Sequence, residues 1–148
     1  MKKILQIKSP EEMIALGQTI GKKLFPGAII TLNGDLGAGK TTFTKGIGQA
    51  LNIKAVINSP TFTIMKVYQG DLTLFHIDAY RLDGVGSDFD LEEYFYQDGI
   101  CVIEWAEIIT DILPEERLDI TISITGESTR QVIIETNNQE YQKLEGIL

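Results

Sequence analysis

The sequence predicts an α/β fold of three layers, a central, mostly parallel sheet with antiparallel hairpins at its periphery. Three observations predict it. The apolar run Ala28-Ile29-Ile30-Thr31-Leu32 leads into a glycine-rich segment and then a helix-like stretch, the strand–loop–helix order of a phosphate-binding α/β unit. The run Ile100-Cys101-Val102-Ile103 is apolar at every position, as in a strand covered on both faces. Two pairs of β-like runs, each joined by a Gly-containing turn, supply the hairpins.

Taken in order, residues 4–7 read as a short edge strand. Ser9-Pro10-Glu11-Glu12 is a helix start, with Ser9 as N-cap, Pro10 in the first helical position and Glu12 three residues after Ser9. Met13, Ile14, Leu16, Ile20 and Leu24 then keep helical spacing until Pro26-Gly27 stops the run. A strand over 28–32, the glycine-rich loop and a helix over about 40–51 follow. Strands are expected at 62–68 and 72–78, joined by Gln69-Gly70-Asp71. Residues 83–90 read as a Gly- and Asp-rich loop, 91–96 as a short helix and 100–105 as a buried strand. Alternation of apolar and polar residues over 118–124 and 131–136 predicts a second hairpin turning near Gly126, and the C-terminal residues suit a short helix.

The loop itself carries chemistry. Gly34-Asp35-Leu36-Gly37-Ala38-Gly39-Lys40-Thr41 matches the phosphate-loop pattern G-x-x-x-x-G-K-[ST] at every fixed position. Glycines let successive backbone N–H groups converge on a polyphosphate, and the helix start behind them favours negative charge. Lys40 would reach β- and γ-phosphates, and the Thr41 hydroxyl would ligate Mg²⁺. The expected fold is thus P-loop NTPase-like, a single ATPase-type domain over residues 1–148.

Composition narrows the function. A formal net charge of −8, from 13 basic and 21 acidic residues, argues against autonomous nucleic-acid binding, which rests on Lys and Arg neutralising phosphates. No apolar run reaches the ~20 residues of a membrane span, and no signal-peptide core opens the chain, so a cytoplasmic location is expected. The one cysteine, Cys101, excludes an internal disulfide and reads as a buried, inert thiol.

Hydrolysis needs more than a phosphate loop, namely an acid near the metal and a group that positions water. Two apolar strands run out in carboxylates: Leu74-Phe75-His76-Ile77-Asp78, the Walker B arrangement, and Cys101-Val102-Ile103-Glu104. Ligands of open α/β sheets gather at such carboxyl ends, and Mg²⁺ is a suitable partner for carboxylates there. Several signals are weaker. His76 reads as a packed, hydrogen-bonded core histidine. Arg81 suits pairing with Asp78 or an arginine-finger role. Ser59-Pro60-Thr61-Phe62-Thr63 is either a bare turn or a γ-phosphate-sensing switch. Trp105 suits core packing. Asp83-Gly84-Val85-Gly86 fits the D-x-x-G pattern of GTPases, but no N-K-x-D signature accompanies it, so the match is read as accidental.

Together these residues resemble one family, the bacterial ATPase TsaE of the tRNA threonylcarbamoyladenosine pathway. The matching pieces are Gly34-Asp35-Leu36-Gly37-Ala38-Gly39-Lys40-Thr41-Thr42-Phe43, Ser59-Pro60-Thr61-Phe62, His76-Ile77-Asp78-Ala79-Tyr80-Arg81-Leu82 and Ile103-Glu104-Trp105-Ala106, in family order and spacing. The resemblance implies a protein that binds ATP and Mg²⁺ and hydrolyses ATP when docked on TsaB and TsaD, with tRNA handled by those partners. It implies catalytic roles for Lys40, Asp78 and Glu104, with Thr41 and Glu104 on the metal. The loop from Gly34 to Thr42 would hold the phosphates, Asp78 would lie beside the γ-phosphate, and Trp105 would shape the nearby wall. Pro10 and Gly126 would border the adenine. Two other readings stay open. A non-catalytic, nucleotide-dependent docking switch fits the same loop. So does a small-molecule P-loop kinase, although Arg81, Arg117 and Arg130 are few for an arginine-bearing lid.

Overall fold

The computed structural model describes residues 1–60, 63–82, 91–95 and 97–148, with the backbone alone at 81 and 82. The expected 83–90 loop with its D-x-x-G match, Thr61 and Phe62 of the switch-like turn, Tyr96 at the end of the expected helix and the Arg81 side chain lie outside the described residues.

The elements run β1 (Lys2–Ile7), α1 (Pro10–Gly21), β2 (Ile29–Asn33), α2 (Lys40–Ala50), β3 (Met65–Tyr68), β4 (Leu74–Asp78), α3 (Glu92–Phe95), β5 (Ile100–Glu104), β6 (Leu118–Ile124), β7 (Arg130–Glu135) and α4 (Gln139–Gln142), with 3₁₀ turns at Ala79–Leu82, Ala106–Ile109 and Glu145–Ile147. Seven strands form one sheet in the order β1-β7-β6-β2-β5-β4-β3. The central four, β6-β2-β5-β4, are parallel. Antiparallel pairs close both margins, β6–β7–β1 on one side and β4–β3 on the other. Strands β4 and β5 are buried at every position, His76, Asp78 and Glu104 included, as expected for strands covered on both faces.

Two cores sit on opposite faces of the sheet. Ile30, Leu32 and Val102 meet Met13, Leu16 and Ile20 of α1 and Phe43 and Ile47 of α2 on one face. Ile29, Phe75, Ile77, Cys101 and Ile103 meet Leu91, Phe95, Ala106 and Ile109 on the other. Each Val, Leu, Ile, Phe or Met among them contributes about 1.5–3 kcal/mol on burial. Three layers result. At the foot of the central strand, the Tyr141 hydroxyl of α4 accepts from Ile29 N at 2.8 Å and anchors the C-terminal segment there.

Helices α1 and α2 pack backbone to backbone. A Cβ on Gly46 would stand 2.9 Å from Gly17 Cα, closer than real side chains come, so only glycine permits the approach. The start of α1 is capped as expected, Ser9 Oγ accepting from Glu12 N at 3.1 Å. The return bond of a capping box goes one residue further out, from Lys8 N to Glu12 Oε2 at 2.7 Å.

Several boundaries are tighter than the sequence pattern suggested. α1 ends at Gly21 because Lys23 N and Leu24 N bond three residues back, to Ile20 and Gly21, tightening the last turn instead of continuing to Pro26. β4 begins at Leu74, not 72, because the Asp71 amide donates to Leu51 O at 2.7 Å and its carboxylate accepts from Asn52 Nδ2 at 2.7 Å, which ties the turn to the end of α2. β5 stops at Glu104, since Trp105 takes a left-handed conformation (φ 59°) that breaks the ladder. Among the described residues, no helix is long and apolar enough to cross a membrane.

Candidate functional site

The glycine-rich segment forms the turn between β2 and α2. Ala38 N donates to Asp35 O at 3.0 Å and closes the loop. Gly39, at φ +111°, is the N-cap of α2, a backbone conformation that a Cβ would strain. No side chain caps this helix, so its first-turn amides, which have no acceptor within the helix, point at whatever lies before it.

Sheet register brings the two carboxylates to the same place. β2 pairs with β5, putting Glu104 opposite Leu32 at the carboxyl end of the phosphate-loop strand. β5 pairs with β4, putting Asp78 opposite Glu104. Both acids are buried, each 6% exposed, at the edge of a cavity of about 640 Å³. Leu36, Gly37, Gly39, Lys40, Thr41 and Thr42 form its loop side. Ser59, Tyr80 and Trp105 complete its wall with the two acids.

Glu104 is held from both sides. Its Oε1 lies 3.3 Å from Lys40 Nζ and its Oε2 lies 2.7 Å from Nε2 of the fully buried His76. Burial pushes the Glu104 carboxyl up, but the hydrogen bond and electrostatic pull of His76, and then the Lys40 ammonium, outweigh it and hold the carboxyl below its ordinary value. His76 therefore packs in the core, as expected, and also orients a carboxylate at the cavity. Its Nδ1 has no hydrogen-bond partner among the described residues. Asp78 accepts from Tyr80 N at 3.1 Å, a local turn that fixes its carboxylate at the strand end.

Trp105 is not a core residue. It is 41% exposed, packs against Tyr80 with centroids 5.4 Å apart and ring planes tilted by 53°, and has Lys40 Nζ 5.4 Å from its ring centroid. The left-handed backbone that turns it outward costs about 1–2 kcal/mol for a residue with a Cβ, strain of the kind that collects at functional sites. Cys101 is buried, and burial pushes its thiol up to about 12, which keeps it protonated and inert.

The expected adenine-side residues are partly brought together. A cavity of about 160 Å³ shares Gly37, Gly39 and Thr42 with the larger one and adds Pro10, Met13 and Ala38. Gly126 is not on its wall. The neighbouring Glu127, Ser128 and Arg130 are, while the Gly126 carbonyl accepts from Arg130. Gly34 and Asp35 lie on the other side of the loop, lining a third, 130 Å³ hollow with Lys40 and Trp105. Tyr80, inside a quoted motif, and Arg130, counted only among the arginines, are wall residues to which the sequence reading gave no part in the site. No local signal marks Arg130, which reaches the loop from 92 residues away.

Hard oxygen donors, from Thr41, Asp78 and Glu104, line the larger cavity beside one ammonium. That set suits Mg²⁺ shared with phosphate oxygens. Among the described residues no cluster of three or more His, Cys, Asp or Glu is placed to hold an ion.

Comparison with known proteins places the whole chain among relatives. The family model described as Threonylcarbamoyl adenosine biosynthesis protein TsaE matches residues 7–132. A relative from Bacillus subtilis, named tRNA threonylcarbamoyladenosine biosynthesis protein TsaE, is 44% identical over 137 residues, spanning 92% of this chain and 87% of the relative. One of the same name from Treponema pallidum is 39% identical over 129 residues, 86% of this chain and 96% of the relative. The crystal structure of Bacillus subtilis YdiB superposes with a TM-score of 0.86 at 37% identity, covering 99% of this chain and 93% of that one. With a phosphate loop facing two strand-end acids and a family match over most of its length, this chain belongs to the TsaE family.

Proposed function

We propose that the chain is a Mg²⁺-dependent ATPase, a single domain over residues 1–148, that serves tRNA threonylcarbamoyladenosine biosynthesis in the cytoplasm by acting with TsaB and TsaD. The observation that carries this reading is the meeting of Lys40, Thr41, Asp78 and Glu104 on one cavity at the start of α2. The relatives' name supplies the pathway. The net charge of −8 supports a protein that leaves tRNA to its partners.

In this reading the loop amides and Lys40 bind the β- and γ-phosphates. Lys40 must leave Glu104 to do so, which exchanges one anionic partner for another. Thr41 and Glu104 would hold Mg²⁺, whose charge would supply stabilisation for negative phosphate oxygens. His76 keeps Glu104 pointed at the cavity while Lys40 moves. Asp78, fixed by the Tyr80 amide, orients the attacking water. Pro10 and the turn at Gly126 flank the adenine. Lys40 is the one cation among the described residues of the wall, which favours a transition state completed by a partner and disfavours a kinase.

Phosphate release, measured with and without the TsaB–TsaD pair, tests the proposal. Slow release alone and faster release with the pair is expected, with Glu104→Gln and Asp78→Asn lowering the rate about 10²-fold or more. No release above background in any mixture, with nucleotide still bound, would transfer support to a docking switch.

A further inference from the structure

We propose that Arg130 is a positioning residue for the phosphate loop, its guanidinium setting the loop's peptide planes and coupling them to the β6–β7 turn. The inference rests on the reading that this loop takes a nucleoside triphosphate. Arg130 opens β7 and reaches across the smaller cavity. Its Nε donates to Ala38 O at 3.0 Å and its Nη2 to Gly37 O at 3.3 Å. Its Nη1 faces the turn, donating to Thr129 O at 2.8 Å, Gly126 O at 3.0 Å and, more weakly, Glu127 O at 3.5 Å.

Those two loop bonds fix more than two oxygens. A trans peptide is planar, so its N–H points opposite to its C=O. With the Gly37 carbonyl turned to Arg130, the Ala38 N–H points the other way, where it meets Asp35 O at 3.0 Å and closes the loop. With the Ala38 carbonyl turned to Arg130, the Gly39 N–H is aimed away from the guanidinium, immediately before Lys40. Gly37 (φ +81°) and Gly39 (φ +111°) flank these planes, and glycine resists rotation least of all residues. An anion that had to order both planes itself would lose affinity to their entropy. A rigid, planar fork does that work in advance. Placing a cation on the carbonyl side also polarises each peptide, which makes its N–H a stronger donor to phosphate.

The competing explanation is that Arg130 merely staples its own turn, since three of its bonds stay there. Amide exchange in the nucleotide-free protein, together with calorimetric titration of MgATP, separates the two. In Arg130→Met, exchange at Ala38, whose N–H is bonded to Asp35 O, should rise about tenfold or more while Ile30 and Val102 in the central strands stay protected, and the ATP Kd should weaken by about the same factor. Arg130→Lys, which keeps the charge without the fork, should fall between parent and Met variant in both readouts, and it carries the test if the Met variant does not fold. Unchanged exchange at Ala38, or an unchanged ATP Kd, overturns the proposal. A parent protein that takes up no ATP but shows the exchange change refutes the nucleotide reading instead, and leaves Arg130 holding the loop for another ligand.

Discussion

His76 and Glu104 are 28 residues apart, yet a 2.7 Å bond joins them beneath the cavity. At this position a neutral apolar substitute of similar size removes a donor and leaves a buried carboxylate oxygen without it. For His76→Phe the loss should be about 1–3 kcal/mol of unfolding free energy, measured by urea titration near neutral pH. Glu104 would also lose the partner that most depresses its carboxyl, so the variant should begin to fail at higher pH than the parent on acidification. A variant as stable as the parent, with the same acid limit, would show that the bond holds nothing in place. The histidine was legible as a core residue from its place inside an apolar strand. Its role as the partner of Glu104 was not, because only the β4–β5 register brings the two together.

Helix α1 owes its position to glycine rather than to its apolar face alone. Gly17 and Gly46 let the α1 and α2 backbones touch, and α1 then carries Pro10 and Met13 to the wall of the smaller cavity. In Gly46→Val the new side chain would strike the Ile14 carbonyl and the Gly17 Cα, so the helices must part. Overpacking of this sort costs about 1–3 kcal/mol and more where backbone is the obstacle. The expected outcome is a lower urea midpoint, with ATP affinity reduced further than Gly46→Ala reduces it. Equal midpoints for Val and parent would mean that the helices slide without penalty. Local pattern found this element and most others. Strand β6 was delimited at 118–124 from alternation alone, and β5 was missed only by the residue at which Trp105 turns left-handed. The antiparallel β6–β7 hairpin was expected from its two alternating runs, but pattern could not tell that β6 would also lie parallel to β2, since periodicity speaks of one segment and not of its neighbour.

For the molecule as a whole, pH bounds stability on two sides. Glu104, held below its ordinary value of 4.5, contributes in full above that value and stops contributing as pH falls through its lower folded value. Cys101 and Tyr141 are both pushed up by burial to about 12, from 9.0 and 10.0. The folded state keeps each neutral where the unfolded chain would ionise, so their contribution is complete below 9.0 and 10.0 and is lost as pH rises toward 12. Urea midpoints should therefore hold level through neutrality and decline on the alkaline side from about pH 9. In Cys101→Ala the decline should start about one pH unit later, with Tyr141 alone remaining; the same onset in both proteins would discard the thiol as its source.

Trp105 gives the protein an optical gauge. It is the sole indole in the sequence, and an ammonium hovers over its face. Whatever anion draws that ammonium into the loop uncovers the ring, so emission from this one fluorophore follows the whereabouts of Lys40 without any attached dye.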